Sequence, residues 1–159
     1  MRMLPERISF DPVSFLKVTR KQNKEILEFI LAEFQVYVPL PSANSYLMTK
    51  VLLKGDTSEE IKALKEVFNV VEVSDQLMEK MAELGGALIK EGIVPNFSDL
   101  MTAASAILTE SLLVVNDKKF KKYEVFSKYG LDVISYTKFL EEIESLAEEE
   151  AKKATLRLL

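Results

Sequence analysis

Three aspartates stand at positions where an open α/β sheet places its chemistry. Asp11 follows a short strand predicted over 7–10, and Asp117 closely follows a continuous apolar strand predicted over 112–115. Asp99 opens a helix of small residues, predicted over 98–110, that leads into the second of these strands. In sheets of this kind ligands bind beyond the carboxyl ends of the strands. The three carboxylates are therefore the first candidates for a catalytic cluster.

Elementary βα geometry brings the three side chains to one edge of the sheet. Asp11 and Asp117 both end parallel strands, and a helix that leads into a parallel strand begins at that same edge, as Asp99 does. If the two strands are neighbours, their following helices leave to opposite faces and a crevice opens between them. Clustered carboxylates repel one another unless a cation lies among them. We therefore expect Mg²⁺ or Mn²⁺, which prefer oxygen ligands and can assist phosphoryl displacement.

Each aspartate also has an ordinary structural interpretation. Asp11 could cap the helix that follows it, Asp99 could stabilise a helix N-terminus, and Asp117 could be a turn residue. A receiver-type domain that accepts a phosphoryl group is a further alternative. It would need a pair of acids after the first strand, and Pro12 follows Asp11 instead.

The composition removes most other catalytic chemistry. The 159 residues include no cysteine and no histidine, which excludes disulfides, thiolate metal sites and Ser-His-Asp triads. Hydrophobic residues at 48% and charged residues at 29% are typical of a globular protein, expected here as a single domain over 1–159. The abundance of Lys and Glu with no Cys fits a thermophile.

The chain carries no segment that predicts export or membrane insertion. Its first ten residues are too charged for a signal peptide. No apolar run approaches the roughly 18 residues of a membrane span. We therefore expect a cytoplasmic protein without membrane contact.

A net charge of −4 means that any nucleic acid must bind at a local basic patch. Two clusters could form one, because Lys17 and Arg20 follow Asp11 while Lys118 and Lys119 follow Asp117. The alternative is that these cations are only solvated surface.

Strand and helix patterns alternate along the chain. This predicts a three-layer α/β/α sandwich around a central, mainly parallel sheet of about five strands. Ser42, Ser74 and a TSEE capping box that begins at Thr57 are predicted helix starts. Met78 and Leu88 are either core residues or contacts of a dimer. The strands are predicted over 7–10, 35–40, 69–73, 112–115 and 132–135, and the helices over 14–20, 22–34, 43–54, 57–68, 75–90, 98–110 and about 136–155.

These motifs together resemble the PIN domain, and most closely the VapC-type toxin ribonucleases and their archaeal relatives. The resemblance runs from Ile8 to about Ile143 and is sharpest over 93–134, where SDLMTAASAI, LLVVNDKKF and YGLDVIS follow in order. It implies a Mg²⁺- or Mn²⁺-dependent RNA endonuclease, usually a homodimer, that a cognate antitoxin protein holds inactive.

The resemblance also assigns roles to the acids. Asp11 matches the first acid of the family, Asp99 the third and Asp117 the fourth. The second acid, a glutamate in the helix after the second strand, falls on Ser45, and no acid occurs from Gln35 to Lys54.

That departure leaves two alternatives open. The chain is either a ribonuclease with three acids on one metal ion, or a degenerate PIN domain that binds RNA or a protein without cleavage. Four polar residues are candidates for supporting roles in the site: Ser14, Ser45, Asn96 and Asn116.

Overall fold

A computed structural model describes residues 4–159 as an α/β fold with an all-parallel sheet. Residues 1–3, which begin the segment considered for a signal peptide, lie outside this range. The five strands lie in the order β3-β2-β1-β4-β5, which confirms the predicted sheet. Their bounds are Arg7–Phe10 (β1), Gln35–Pro39 (β2), Asn69–Val71 (β3), Leu112–Val115 (β4) and Asp132–Ser135 (β5).

Helices flank the sheet on both faces. Between residues 4 and 159, none of them combines the length and hydropathy needed to cross a membrane. The helices are Pro12–Val18 (α1), Lys24–Glu33 (α2), Leu40–Leu52 (α3), Thr57–Val67 (α4), Asp75–Lys90 (α5), Phe97–Leu108 (α6), Phe120–Glu124 (α7) and Tyr136–Leu158 (α8), with 3₁₀ turns at Lys21–Asn23, Asp117–Lys119 and Ser127–Tyr129.

Alternating side chains of the strands divide the core into two clusters. In β4, Leu112 and Val114 pack with Phe15 of α1 and Phe139 of α8 on one face, whereas Leu113 and Val115 face α5, α6 and α7. All four β4 side chains are buried, as expected for a strand covered on both faces.

The strands that carry the first and last candidate acids are neighbours. β1 pairs with β4 in parallel register, with Ile8 opposite Leu112 and Phe10 opposite Val114. α1 after β1 packs into one core cluster, and α7 beyond β4 packs into the other. The helices that follow β1 and β4 therefore pack on opposite faces of the sheet, which is the arrangement for which a crevice was predicted at the carboxyl ends of these strands.

Several helix starts differ from the sequence prediction. α3 begins at Leu40, and Ser42 lies inside its first turn, where its hydroxyl donates to the Phe10 carbonyl at 2.7 Å. α4 is capped by Asp56, whose carboxylate accepts from the Glu59 amide, so the capping box at Thr57 was wrong by one residue. Ser74 does cap α5 as predicted.

One further element was not anticipated, and one pair of alternatives is resolved. The basic run after Asp117 forms a 3₁₀ turn followed by α7, where the sequence pattern predicted no helix. Of the two side chains considered as dimer contacts, Met78 is 54% exposed while Leu88 is only 2% exposed and belongs to the core.

Candidate active site

Asp11 is fully buried at the end of β1. Its Oδ1 accepts from the Ser14 amide at 2.8 Å, which caps α1, and its Oδ2 accepts from the Asn116 amide at 3.3 Å. Burial raises the pKa of this carboxyl above its ordinary value, although the hydrogen bonds and the charge of Lys119 act in the other direction. Asp11 thus caps α1. Each of its two carboxylate oxygens can still accept a further bond.

Asp99 lies in the first turn of α6 and is 7% exposed. Its Oδ1 accepts from the Lys119 ammonium at 2.9 Å and from the Tyr123 hydroxyl at 3.0 Å. The helix is capped by Asn96, whose Oδ1 accepts from the Asp99 amide at 3.1 Å. The capping role considered for Asp99 therefore belongs to Asn96, and the Asp99 carboxylate points away from the helix end toward a cation and a phenol.

Asp11 and Asp99 act on the same small region. Burial raises the pKa of Tyr123, and the negative charges of Asp99 and Asp11 raise it further. Lys119 is bonded to Asp99, and its charge lowers the pKa of Asp11. Two partners shared by both carboxylates indicate that these two acids lie near each other, whereas the βα geometry predicted that Asp117 would join them.

Asp117 is turned to a different partner. It is exposed at the start of the 3₁₀ turn after β4, and its carboxylate accepts from the Thr137 amide at 3.1 Å and from the Thr137 hydroxyl. These two bonds, with a smaller contribution from the charge of Lys17, lower the pKa of Asp117. Accordingly, residues 4–159 contain no group of three Asp, Glu, His or Cys side chains placed to hold a metal ion.

The supporting polar residues take separate positions. The Ser14 hydroxyl is buried beside Asp11, close enough to lower the pKa of that carboxyl, but it forms no hydrogen bond of regular geometry within the described chain. Asn116 accepts from the Lys17 ammonium at 3.2 Å through its Oδ1. Ser45 lies on α3 in an open groove of about 360 Å³, whose other lining residues are Leu40, Pro41, Asn44, Phe97, Ser98 and Met101.

The candidate RNA-binding cations divide into two kinds. Arg20 and Lys118 are exposed at the surface. Lys17 is held between Asn116 and the ring of Tyr136, with its Nζ 5.3 Å from the ring centroid. Lys119 is partly exposed, and its ammonium is bonded to the buried Asp99 carboxylate.

Sequence reasoning missed Tyr123 and Thr137. Tyr123 is buried on α7. This helix was not predicted because four lysines dominate the run KKFKKYE. The spacing of Phe120 and Tyr123 at i, i+3 was the available signal, because it places two rings on one face of a helical turn. Thr137 carried no comparable signal, since its contact with Asp117 depends on how α8 leaves β5.

The donor set fits a hard divalent cation in part. Asp11 and Asp99 offer carboxylate oxygens in a buried setting, and burial raises the pKa of Asp11. Asp117 would have to give up its bonds to Thr137 to join them.

Comparisons with known proteins place this architecture in a family. The chain is 35% identical over 147 residues to a VapC ribonuclease of Pyrococcus furiosus, covering 92% of this chain and 97% of that protein. VapBC-1 from nontypeable Haemophilus influenzae matches with a TM-score of 0.59 at 17% identity, over 82% of this chain and 98% of that chain. VapBC2 from Rickettsia felis, solved with a DNA fragment from its promoter, matches with a TM-score of 0.58 at 16% identity, over 81% and 98% of the two chains.

No family model matches the sequence. The structural matches show the fold alone, whereas the Pyrococcus relative spans nearly the whole of both chains. The chain therefore belongs to the PIN-domain family of VapC-type toxin ribonucleases.

Proposed function

We propose that this chain is a metal-dependent endoribonuclease that hydrolyses RNA phosphodiesters. The observation that carries the proposal is the buried pair Asp11 and Asp99, which share Lys119 and Tyr123 as partners near the carboxyl ends of the paired strands β1 and β4. The VapC ribonuclease of Pyrococcus furiosus, 35% identical over 92% of this chain, supports RNA as the substrate.

Asp11 and Asp99 would hold Mg²⁺ or Mn²⁺, with Asp117 as the third carboxylate. Such an ion, when bound, supplies Lewis-acid chemistry that offsets negative charge on the phosphodiester. Tyr123 fixes Asp99 through its hydroxyl, and the amides of Ser14 and Asn116 fix Asp11. These bonds keep the two carboxylates in place without rearrangement during the reaction.

The basic residues around the acids would bind the RNA backbone. Lys17 lies beside Asn116, and its charge reaches Asp117. Arg20 and Lys118 are exposed, so their charges are available to phosphate oxygens. A chain of net charge −4 would thus bind RNA only where these cations concentrate.

Two protein partners complete the proposal. The family resemblance implies a homodimer and a cognate antitoxin, and the solved VapBC structures share the fold of this chain. We propose an antitoxin as the partner that controls the ribonuclease.

The test is cleavage of a structured RNA by the purified protein with Mn²⁺ and with excess EDTA. Wild-type protein should cleave only with the metal, and Asp11→Asn and Asp99→Asn should each lower the rate about 100-fold or more. Asp75→Asn is the matched control, because Asp75 also follows a strand at this edge of the sheet but lies beyond β3. Cleavage that survives in both site variants would contradict the proposal.

A second candidate function is RNA or protein binding without cleavage. It is favoured by Ser45 in place of the family glutamate and by the engagement of Asp117 with Thr137. In this case wild-type protein would bind RNA and leave it intact with Mn²⁺. Cleavage gained by Ser45→Glu would then show that the missing acid alone separates the two functions.

A further inference from the structure

Lys119 differs from the other lysines of its run. Lys118, Lys121 and Lys122 are exposed, whereas the Lys119 ammonium reaches Asp99 Oδ1 at 2.9 Å. The Lys119 side chain remains 38% exposed while that of Asp99 is 10% exposed, so the lysine enters from solvent and ends at a buried carboxylate.

The charge of Lys119 serves two carboxylates. It is bonded to Asp99, and it also acts electrostatically on Asp11. Tyr123 donates to the same Asp99 oxygen, but it is a neutral group and contributes no positive charge. The cation that partly neutralises this pair of acids is thus a side chain of the protein itself.

We propose that Lys119 is the internal counter-cation of the Asp11–Asp99 pair and competes with a divalent metal ion for Asp99. The inference rests on the proposed function, because it concerns the same metal site. A metal ion at Asp99 would place two positive charges beside the ammonium, and the repulsion disfavours joint occupancy. The flexible four-carbon stem of lysine lets the ammonium return to solvent at little cost.

The first test is titration of Mn²⁺ into the metal-free protein by calorimetry. Lys119→Met keeps the apolar stem and removes the competing charge, so it should tighten the Kd for Mn²⁺ about 3- to 10-fold. Lys119→Arg restores a cation and should bind Mn²⁺ like wild type. Lys118→Met removes the same charge one residue away, where Lys118 is exposed and forms no ion pair with an acid of residues 4–159, and should change the Kd less than about 2-fold.

A second test uses the wild-type protein and needs no variant to fold. Amine acetylation followed by mass spectrometry measures how freely each lysine reacts. Labelling of Lys119 should be low without metal and should rise severalfold with saturating Mn²⁺, because the ammonium leaves Asp99. Labelling of Lys118 should stay unchanged.

The outcomes separate this inference from the proposed function. Equal Mn²⁺ affinity in wild type and Lys119→Met, with unchanged Lys119 labelling, would overturn the competition and leave the metal site standing. If only Lys119→Met bound Mn²⁺, the result would support the competition, because it would mean that Lys119 excludes the metal from the wild-type protein. Absence of Mn²⁺ binding by every protein would overturn the metal site and the competition with it.

Discussion

At the scale of single residues, Asp11 and Asp117 follow neighbouring strands but have opposite electrostatic surroundings. Asp11 is buried, and desolvation raises its pKa above the ordinary 3.8. Asp117 is exposed, and its bonds from Thr137 lower its pKa below the same value. The fold therefore disfavours the charge of one acid and favours the charge of the other.

These shifts predict opposite pH dependences for two matched variants in metal-free buffer. A raised native pKa means that folded Asp11 binds its proton more tightly than the unfolded chain does, so wild type loses stability as the pH rises above about 4. The free energy of unfolding of Asp11→Asn should therefore increase relative to that of wild type as the pH rises from about 4 to 7.

For Asp117→Asn the sign reverses. A lowered native pKa gives a stabilisation that is present above the unfolded value and lost as the pH falls through the folded one. This variant should be less stable than wild type at neutral pH, and the difference should shrink below about pH 4. Urea denaturation with EDTA across this range measures both slopes, and slopes of the same sign would contradict the assignment.

The residue types of the acid site could be predicted, but their partners could not. Asp11 and Asp99 follow from their positions relative to strands and helices, which local pattern indicates. The contacts of Asp99 with Lys119 and Tyr123 depend on how the chain folds around α7. The sequence pattern did not predict this helix because it lies in a run of lysines. Contacts across 20 and 24 residues are set by tertiary packing, which pattern does not encode.

At the scale of elements, Ser42 connects α3 to the strand that ends in front of Asp11. Its buried hydroxyl donates to the carbonyl of Phe10 at 2.7 Å. The sequence suggested that Ser42 caps the next helix. Proline is tolerated in the first turn of a helix, so the helix includes Pro41 and begins at Leu40. The helix thus begins two residues before Ser42 and frees its hydroxyl for β1.

This contact predicts a stability loss for Ser42→Ala. The substitution leaves the buried Phe10 carbonyl without this donor and should cost about 1–2 kcal/mol of unfolding free energy. Thr49→Ala is the control on the same helix, because the exposed Thr49 hydroxyl donates to the Ser45 carbonyl of its own helix. The free energy of unfolding of the control should lie within about 0.5 kcal/mol of wild type. Equal losses for the two variants would contradict a stabilising role of the hydrogen bond from Ser42 to Phe10.

At the scale of the whole molecule, the sheet topology was within reach of sequence reasoning. Alternating strand and helix patterns restrict the chain to right-handed parallel crossovers, which leaves few possible sheets. The continuous apolar run LLVV predicted a strand over 112–115, and β4 lies inside the sheet between β1 and β5. The sequence did not predict which apolar surfaces remain exposed. The pattern of an amphipathic helix identifies its apolar face but not which element, if any, packs against that face.

The structure exposes an apolar surface that we call the α3 face, formed by Leu40, Met48, Val51, Leu52 and Phe97. Leu40, Met48 and Val51 recur at helical spacing on α3, and Phe97 of α6 lines the same groove as Leu40. Large apolar side chains that lie exposed on one helix face typically mark a protein interface. Met78, by contrast, lies on α5, where the residues one turn before and after it, Asp75 and Ala82, are not large apolar residues.

We therefore expect the proposed homodimer to form through the α3 face. Light scattering should give twice the 18.0 kDa chain mass for wild type. Met48→Glu places a charge where Met48 is 59% exposed in the single chain, and burying that charge in an interface without a partner should yield monomers. Met78→Glu adds the same charge at a residue of similar exposure and should remain dimeric. A monomeric Met78→Glu beside a dimeric Met48→Glu would move the interface to α5, and circular dichroism on both variants separates lost association from lost folding.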